Sequence, residues 1–289
     1  MSTPTAASPK FKYTAQRGFF SHDSDPASWE FRATTRPSLG LLDRSYPTDA
    51  AYDPKREKTQ WERFIHYLHY LNKTTTDKKY KLFYLIRHGQ GIHNVKEAEV
   101  GREEWDRYWS KLSGDATTIW EDAALTLVGE QQAKDIARFF EDGDVAAPER
   151  VYSSPLQRCL RTTELAYSSF PIQPIVKENL RERLGVHTCD KRGTKSYIAD
   201  AFPKFAFEAG FTEEDELWKP DVRESLDEHV IRKTKLLDEI FSEAADALII
   251  SLTVHSGAIM ALFGATGWGM VPVAAGAVYP LLVLAESEG

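Results

Sequence analysis

Leu82, Phe83, Tyr84, Leu85 and Ile86 form an apolar run that stops abruptly at Arg87-His88-Gly89. Six or so aromatic and branched residues are too few for a buried helix and read as a buried strand, starting at Lys81. Such a strand gains no stability from ending in a cation and an imidazole. In open α/β sheets ligands bind just beyond the carboxyl ends of strands, so an anion is expected to dock at this edge. Gly89 and Gly91 are expected to free the backbone for a turn and for close approach to that ligand. A second apolar run, residues 247–254, ends at His255-Ser256-Gly257. If the two strands are parallel neighbours, both imidazoles reach one crevice, which makes the chain an α/β protein.

Composition narrows what that crevice serves. With 42% hydrophobic and 27% charged residues the chain is globular rather than disordered. The formal charge of −7 gives no basic field for nucleic acid, so an anionic ligand must be held by locally placed Arg and His. Two cysteines, Cys159 and Cys189, fit a reducing, cytoplasmic location better than a disulfide scaffold. The first ten residues lack an apolar core, so no secretory signal is expected. Residues 247–285 carry no Asp, Glu, Lys or Arg, but Gly257, Gly264, Gly267, Pro272, Gly276 and Pro280 interrupt them. That favours a strand–helix–strand core over a membrane span.

In chain order, residues 1–80 show no strand–helix alternation. Phe11, Tyr13, Phe19, Phe20, Trp29 and Phe31 suggest an arm pinned to the body by aromatics, followed by a helix with apolar positions 61, 64, 65, 68 and 71. Thr126 is expected to cap a helix that Asp142-Gly143-Asp144 stops. Arg150-Val151-Tyr152-Ser153 and residues 171–176 read as strands. Ser154-Pro155 reads as a helix start, which places Arg158 in a first turn whose dipole disfavours a cation unless an anion binds there. Residues 225–245 form an amphipathic helix and 278–284 the last strand. The phenylalanines of an insertion at about 189–225 read as core. His93 reads as a loop residue.

Arg87-His88-Gly89-Gln90-Gly91-Ile92-His93-Asn94 resembles the Arg-His-Gly signature of the histidine phosphatase superfamily, phosphoglycerate-mutase-like branch. Later blocks resemble that family in the same order: Leu125-Thr126 with Gly129, Ser153 to Arg158, Leu180-Arg181-Glu182, and Val254 to Gly257. Residues 178–192 are similar to fungal phosphomutase-like proteins. The resemblance implies a three-layer αβα sandwich with a mostly parallel central sheet. Its catalytic domain would span 81–289, with an inserted helical cap at 189–225 and the N-terminal arm 1–80 packed on the body. It implies His88 as the nucleophile that becomes phosphohistidine, since a neutral imidazole nitrogen is competent near neutral pH. Arg87, Arg158 and His255 would surround the phosphoryl oxygens, Asn94 would add a neutral donor, and Glu182 would serve as acid and then base. Substrate contacts are further expected from Gln90, His187 and Arg192. Phosphate charge should raise the Glu182 pKa, while Arg181 and Arg183 oppose it. No metal or other cofactor is expected, and the partner is a small phosphorylated molecule rather than a membrane or nucleic acid.

Within that family a mutase hides its phosphohistidine from water, in association with a C-terminal tail. The chain ends at Gly289, shortly after the last expected strand, and Arg183-Leu184-Gly185-Val186-His187 replaces the mutases' Arg-His-Tyr-Gly run. Both departures favour a phosphomonoesterase over a phosphomutase. A non-catalytic protein on this fold is a third reading, disfavoured because it has no chemical reason to keep all five catalytic types. Lys191, Arg192, Lys195 and Arg223 are candidates for a substrate's second charge.

Overall fold

A computed structural model describes residues 11–26, 32–142 and 145–287. In chain order its elements are β1 (Phe11–Ala15), α1 (Asp49–Tyr52), α2 (Gln60–Thr74), β2 (Lys78–Arg87), α3 (Ile92–Val100), α4 (Arg102–Arg107) and α5 (Leu127–Asp142). Then follow β3 (Arg150–Ser153), α6 (Gln157–Ala166), β4 (Ile175–Val176), α7 (Lys195–Ala201), β5 (Ala206–Phe207), α8 (Leu226–Glu243), β6 (Ile249–Val254), α9 (Ser256–Thr266) and β7 (Val278–Ser287). The expected arm residues Trp29 and Phe31, the first ten residues, and the Gly143-Asp144 stop lie outside the described residues.

The seven strands form one sheet in the order β1-β7-β2-β6-β3-β4-β5. Pairing is parallel from β2 through β5 and antiparallel where β7 meets β2 and β1. Alternation along β2 divides the core. Phe83 and Leu85 face one side with residues of α8 and α9, whereas Leu82, Tyr84 and Ile86 face the other with residues of α2 and α5. Two helical layers on one sheet follow from that period-2 pattern. The charge-free stretch 247–285 resolves into β6, the eleven-residue α9, a loop and β7, with Gly267 at φ 66° closing the helix. Among the described residues no helix is long and apolar enough to cross a membrane.

One expectation is extended and two need correction. The N-terminal arm does not merely pack on the body: β1 pairs with β7 as an edge strand, and Trp61, Phe64 and Leu68 of α2 enter the core beneath Leu82 and Tyr84. The insertion at 189–225 holds one helix of seven residues, α7, and the two-residue β5, so it is mostly irregular rather than a helical cap. Its Phe202, Phe205 and Phe211 do pack, with Leu160, Val176 and Ile198, as a small separate core. Finally, Ser154-Pro155 does not start a helix. α6 begins at Gln157, whose N–H donates to Asp122 Oδ1 at 2.9 Å. That buried carboxyl comes from a residue at φ 41°, and burial pushes its pKa up to about 6.

Candidate active site

β2 and β6 are parallel neighbours with Arg87 opposite Val254, and the His88 N–H donates to Val254 O at 2.9 Å. His88 and His255, each one residue beyond its strand, therefore meet at the same edge with ring centroids 5.1 Å apart. The two glycines serve the protein rather than a ligand. A Cβ on Gly89 would lie 2.3 Å from Gly129 O, and one on Gly91 would lie 2.6 Å from His93 Nδ1. Neither has a positive φ, so close packing rather than turn strain demands glycine there.

His88 is 2% exposed, and its Nδ1 lies 2.7 Å from Gly89 O. A carbonyl can only accept, so Nδ1 carries the proton and Nε2 keeps its lone pair. Arg158 Nε lies 3.3 Å from that Nε2. Burial, then Arg158 and Arg87, hold the His88 pKa well below the ordinary histidine value. The ring is neutral at physiological pH, and its unprotonated Nε2 accepts from the Arg158 Nε–H, with Arg87 on the same cavity wall.

Around it lies a cavity of about 530 Å³, a size suited to a small ligand. Arg87, Asn94, Arg158, Glu182 and His187 share its wall with His88. Arg87 donates from one Nη to Val273 O at 2.9 Å, while its buried Nε has no protein partner. Asn94 Oδ1 accepts from the Gly91 N–H at 3.0 Å, which fixes the amide and leaves its nitrogen as the remaining donor. Glu182 accepts from the Gly257 N–H at 2.8 Å and from the Arg183 N–H at 2.9 Å. Arg158 donates to Asp190 Oδ1 at 2.9 Å and to Cys189 O, so the counter-ion of this first-turn cation is the protein's own carboxylate. Arg181 turns away from Glu182 to pair with Asp215 at 2.6 Å.

Three expected site residues do not line the cavity. His255 stands behind His88 rather than on the cavity wall, with Nε2 2.8 Å from Ser154 Oγ and 3.4 Å from Cys159 Sγ. Gln90 accepts from Thr126 Oγ at 2.8 Å and ties its loop to α5. Arg192 is buried, stacked 4.4 Å over Phe211 and bonded to Glu178 and to carbonyls of residues 212–214. A guanidinium so engaged fastens the insertion and is not available to substrate. Of the other second-charge candidates, Lys191 pairs with Glu121 at 2.8 Å and Arg223 with Asp190 at 3.0 Å.

The structure also adds residues. His93 is not in a loop but in the first turn of α3, buried, with its ring 5.7 Å from that of His88 and Nδ1 unpartnered. The Gly91–Asn94 spacing, which closes a cap at the start of α3, was the available signal for that helix. Asp190 clamps Arg158 and Arg223 together, and burial, opposed and outweighed by those two cations, leaves its pKa lowered. Arg223 in turn reaches His187 Nδ1 at 3.3 Å, and burial pulls the His187 pKa down to about 4. The ligand atoms of His187, Cys189 and Asp190 lie within 4.8 Å of one another. With two guanidinium groups already on Asp190, and burial raising the Cys189 thiol's pKa, this cluster is electrostatically unsuited to a metal ion.

Known proteins are similar to this chain across the site. The model of the histidine phosphatase superfamily (branch 1) matches residues 83–270. A probable phosphoglycerate mutase of Arthroderma benhamiae is 41% identical over 297 aligned positions, covering 98% of this chain and 87% of its own. Phosphomutase-like protein 3 of Candida albicans is 40% identical over 210 positions, covering 72% of this chain and 66% of its own. Among solved structures, a mycobacterial glucosyl-3-phosphoglycerate phosphatase is a distant likeness at 23% identity and TM-score 0.42, over 65% of this chain and 79% of its own. The superfamily match runs from β2 past His255, through every block that carries the site, and the chain belongs to the histidine phosphatase superfamily.

Proposed function

We propose that this protein is a phosphomonoesterase working through a phosphohistidine at His88 Nε2. The observation that carries the reading is the Nδ1 contact to Gly89 O, which leaves Nε2 unprotonated, its lone pair turned to the Arg158 Nε–H that a phosphoryl oxygen would take over. In the first step the Nε2 lone pair attacks phosphorus, the ester P–O bond breaks, and protonated Glu182 gives its proton to the leaving alkoxide. In the second, Glu182 takes a proton from water, the water oxygen attacks phosphorus, and the N–P bond breaks to return neutral His88. Arg87, Arg158 and Asn94 meet the charge on the phosphoryl oxygens, which is most of what this transfer requires. The scheme needs no metal. His255 joins it only by exchanging its Ser154 partner for a phosphoryl oxygen.

A phosphomutase is the second reading, favoured by the names of the fungal relatives. Hydrolysis is preferred because the segment after Glu182 departs from the mutase run. Gly185 at φ 81° and Val186 at φ 62° make a left-handed turn there, held by the Val186 N–H to Lys219 O at 2.8 Å. Incubation with a radiolabelled phosphoester and quenching into alkali should trap label on the wild type and none on His88→Ala. Absence of both label and turnover with any phosphoester sinks the proposal. Conversion of 3-phosphoglycerate to 2-phosphoglycerate without free phosphate would establish the mutase instead.

A further inference from the structure

Away from His88 the cavity has two unlike walls. One is built by α8 and α9: Leu226 and Val230 from the first, Met260 and Ala261 from the second, with Met270 from the loop that follows. The spacing of four between 226 and 230 puts both on one helical face. Leu226 is 67% exposed and Met270 40%, so the mouth of a polar site carries an uncovered apolar surface. His229, between them on α8, has neither ring nitrogen partnered. Burial, then Lys233 and Arg232, keep that ring uncharged.

The rest of the lining is charged, and Arg102 and Arg223 have their counter-ions within the protein. Arg102 donates to Glu97 and to Asp106, each at 2.8 Å. Arg223 is held by Asp190, while Arg183 has a main-chain partner and no counter-ion, donating to Glu224 O at 2.9 Å. With Glu182 protonated, as the first step requires, the five arginines of the lining are set against Glu97 and Asp190 there and Asp106 on Arg102, a surplus of two positive charges with the histidines neutral. That surplus matches one phosphomonoester dianion. A substrate with an additional carboxylate or phosphate exceeds it and would displace existing ion pairs.

We infer that the substrate is the phosphomonoester of an uncharged, apolar alcohol, whose body lies against Leu226, Val230, Met260 and Met270. The inference rests on the phosphomonoesterase reading and narrows its substrate class. Ethyl, butyl and hexyl phosphate and 3-phosphoglycerate test it in two parallel assays. In turnover, kcat/KM should rise roughly three- to fourfold per methylene that reaches the wall, with 3-phosphoglycerate below hexyl phosphate. In Leu226→Asp and Met270→Asp, both at exposed positions, that slope should flatten. Calorimetric titration of His88→Ala with the same four compounds reads the tail preference without chemistry. Binding that strengthens with tail length in a protein whose wild type shows no turnover keeps the substrate class and removes the hydrolysis reading. A flat tail series in both assays, or 3-phosphoglycerate preferred in both, overturns the inference.

Discussion

Gly257→Ala tests whether Glu182 moves the proton. A Cβ on Gly257 would lie 2.1 Å from Glu182 Oε1 and 2.8 Å from its Cδ, against an ordinary contact of 3.4 Å or more. The carboxyl must therefore retreat by about 1 Å, and a displacement of that size at a reacting group costs on the order of 10²-fold. The whole contribution of a general acid is roughly 10²–10⁴-fold, so the variant should lose about 10²-fold in kcat/KM with an alkyl phosphate, about 2.7 kcal/mol of barrier. Stability should barely change. Losing the Gly257 N–H bond to Glu182 costs about 1 kcal/mol, and replacing glycine by alanine inside α9 returns about the same. The discriminating measurement is the leaving group. p-Nitrophenoxide departs without a proton, so kcat/KM for p-nitrophenyl phosphate, which reports formation of the phosphoenzyme, should fall far less than for butyl phosphate. Equal losses on both substrates, or none on either, would refute the assignment of Glu182 as acid while leaving His88 untouched.

Other perturbations reach the scaffold of the site. Asp190→Asn leaves the buried Arg158 and the half-buried Arg223 without their shared counter-ion, and should cost about 3–5 kcal/mol in urea unfolding at pH 7. Because the folded pKa of Asp190 is lowered, its contribution is complete above the unfolded value of about 4, so the loss should be the same at pH 6 and pH 8. Gly89→Ala drives a Cβ into the backbone carbonyl of Gly129 at 2.3 Å. Neither side is a flexible side chain, and a thermal melt should show a drop corresponding to more than about 3 kcal/mol. Acid should unfold the protein early. His22, His88, His93, His187, His229 and His255 all have pKa values lowered by burial. The unfolded chain binds protons below about pH 6.5 that the folded one refuses, so stability falls with pH from there by up to about 1.4 kcal/mol per group and pH unit. Unfolding by pH 5 is expected in a circular-dichroism titration; a protein with unchanged stability at pH 4.5 would contradict the burial of these rings.

What could be read from the chain depended on how local the cause was. β2, β6 and β7 announce themselves as apolar runs, and α2 and α8 carry their own caps, Thr59 with Glu62 and Ser225 with Glu228. The meeting of His88 and His255 follows from one extra assumption, parallel adjacency, because each imidazole comes one residue after its strand. Of the stretch 171–176 that reads as a strand only Ile175 and Val176 pair, as β4, and the two-residue β5 has no periodicity to detect and exists only because β4 accepts it. Ser154 misled for a related reason. A serine before a proline is a helix start by local rules, but here its hydroxyl is taken by His255, 101 residues away.

The charged segment 178–192 shows why site chemistry outruns sequence pattern. It carries Glu178, Arg181, Glu182, Arg183, Asp190, Lys191 and Arg192 within fifteen positions, and nothing in their order separates an acid–base group from a fastening. Three-dimensional pairing does. Arg181 and Arg192 are consumed by Asp215 and Glu178, and beyond the left-handed turn at Gly185 and Val186 the chain brings Asp190 to Arg158. A side chain at Gly185 would lie 1.7 Å from Val222 O, so the turn depends on a backbone contact 37 residues away. With every other carboxylate in the segment drawn into an ion pair, Glu182 is the one held only by N–H groups of the main chain. Such a carboxylate can change its protonation state twice per cycle without leaving a buried guanidinium group unpaired, and that is the property an acid–base residue needs.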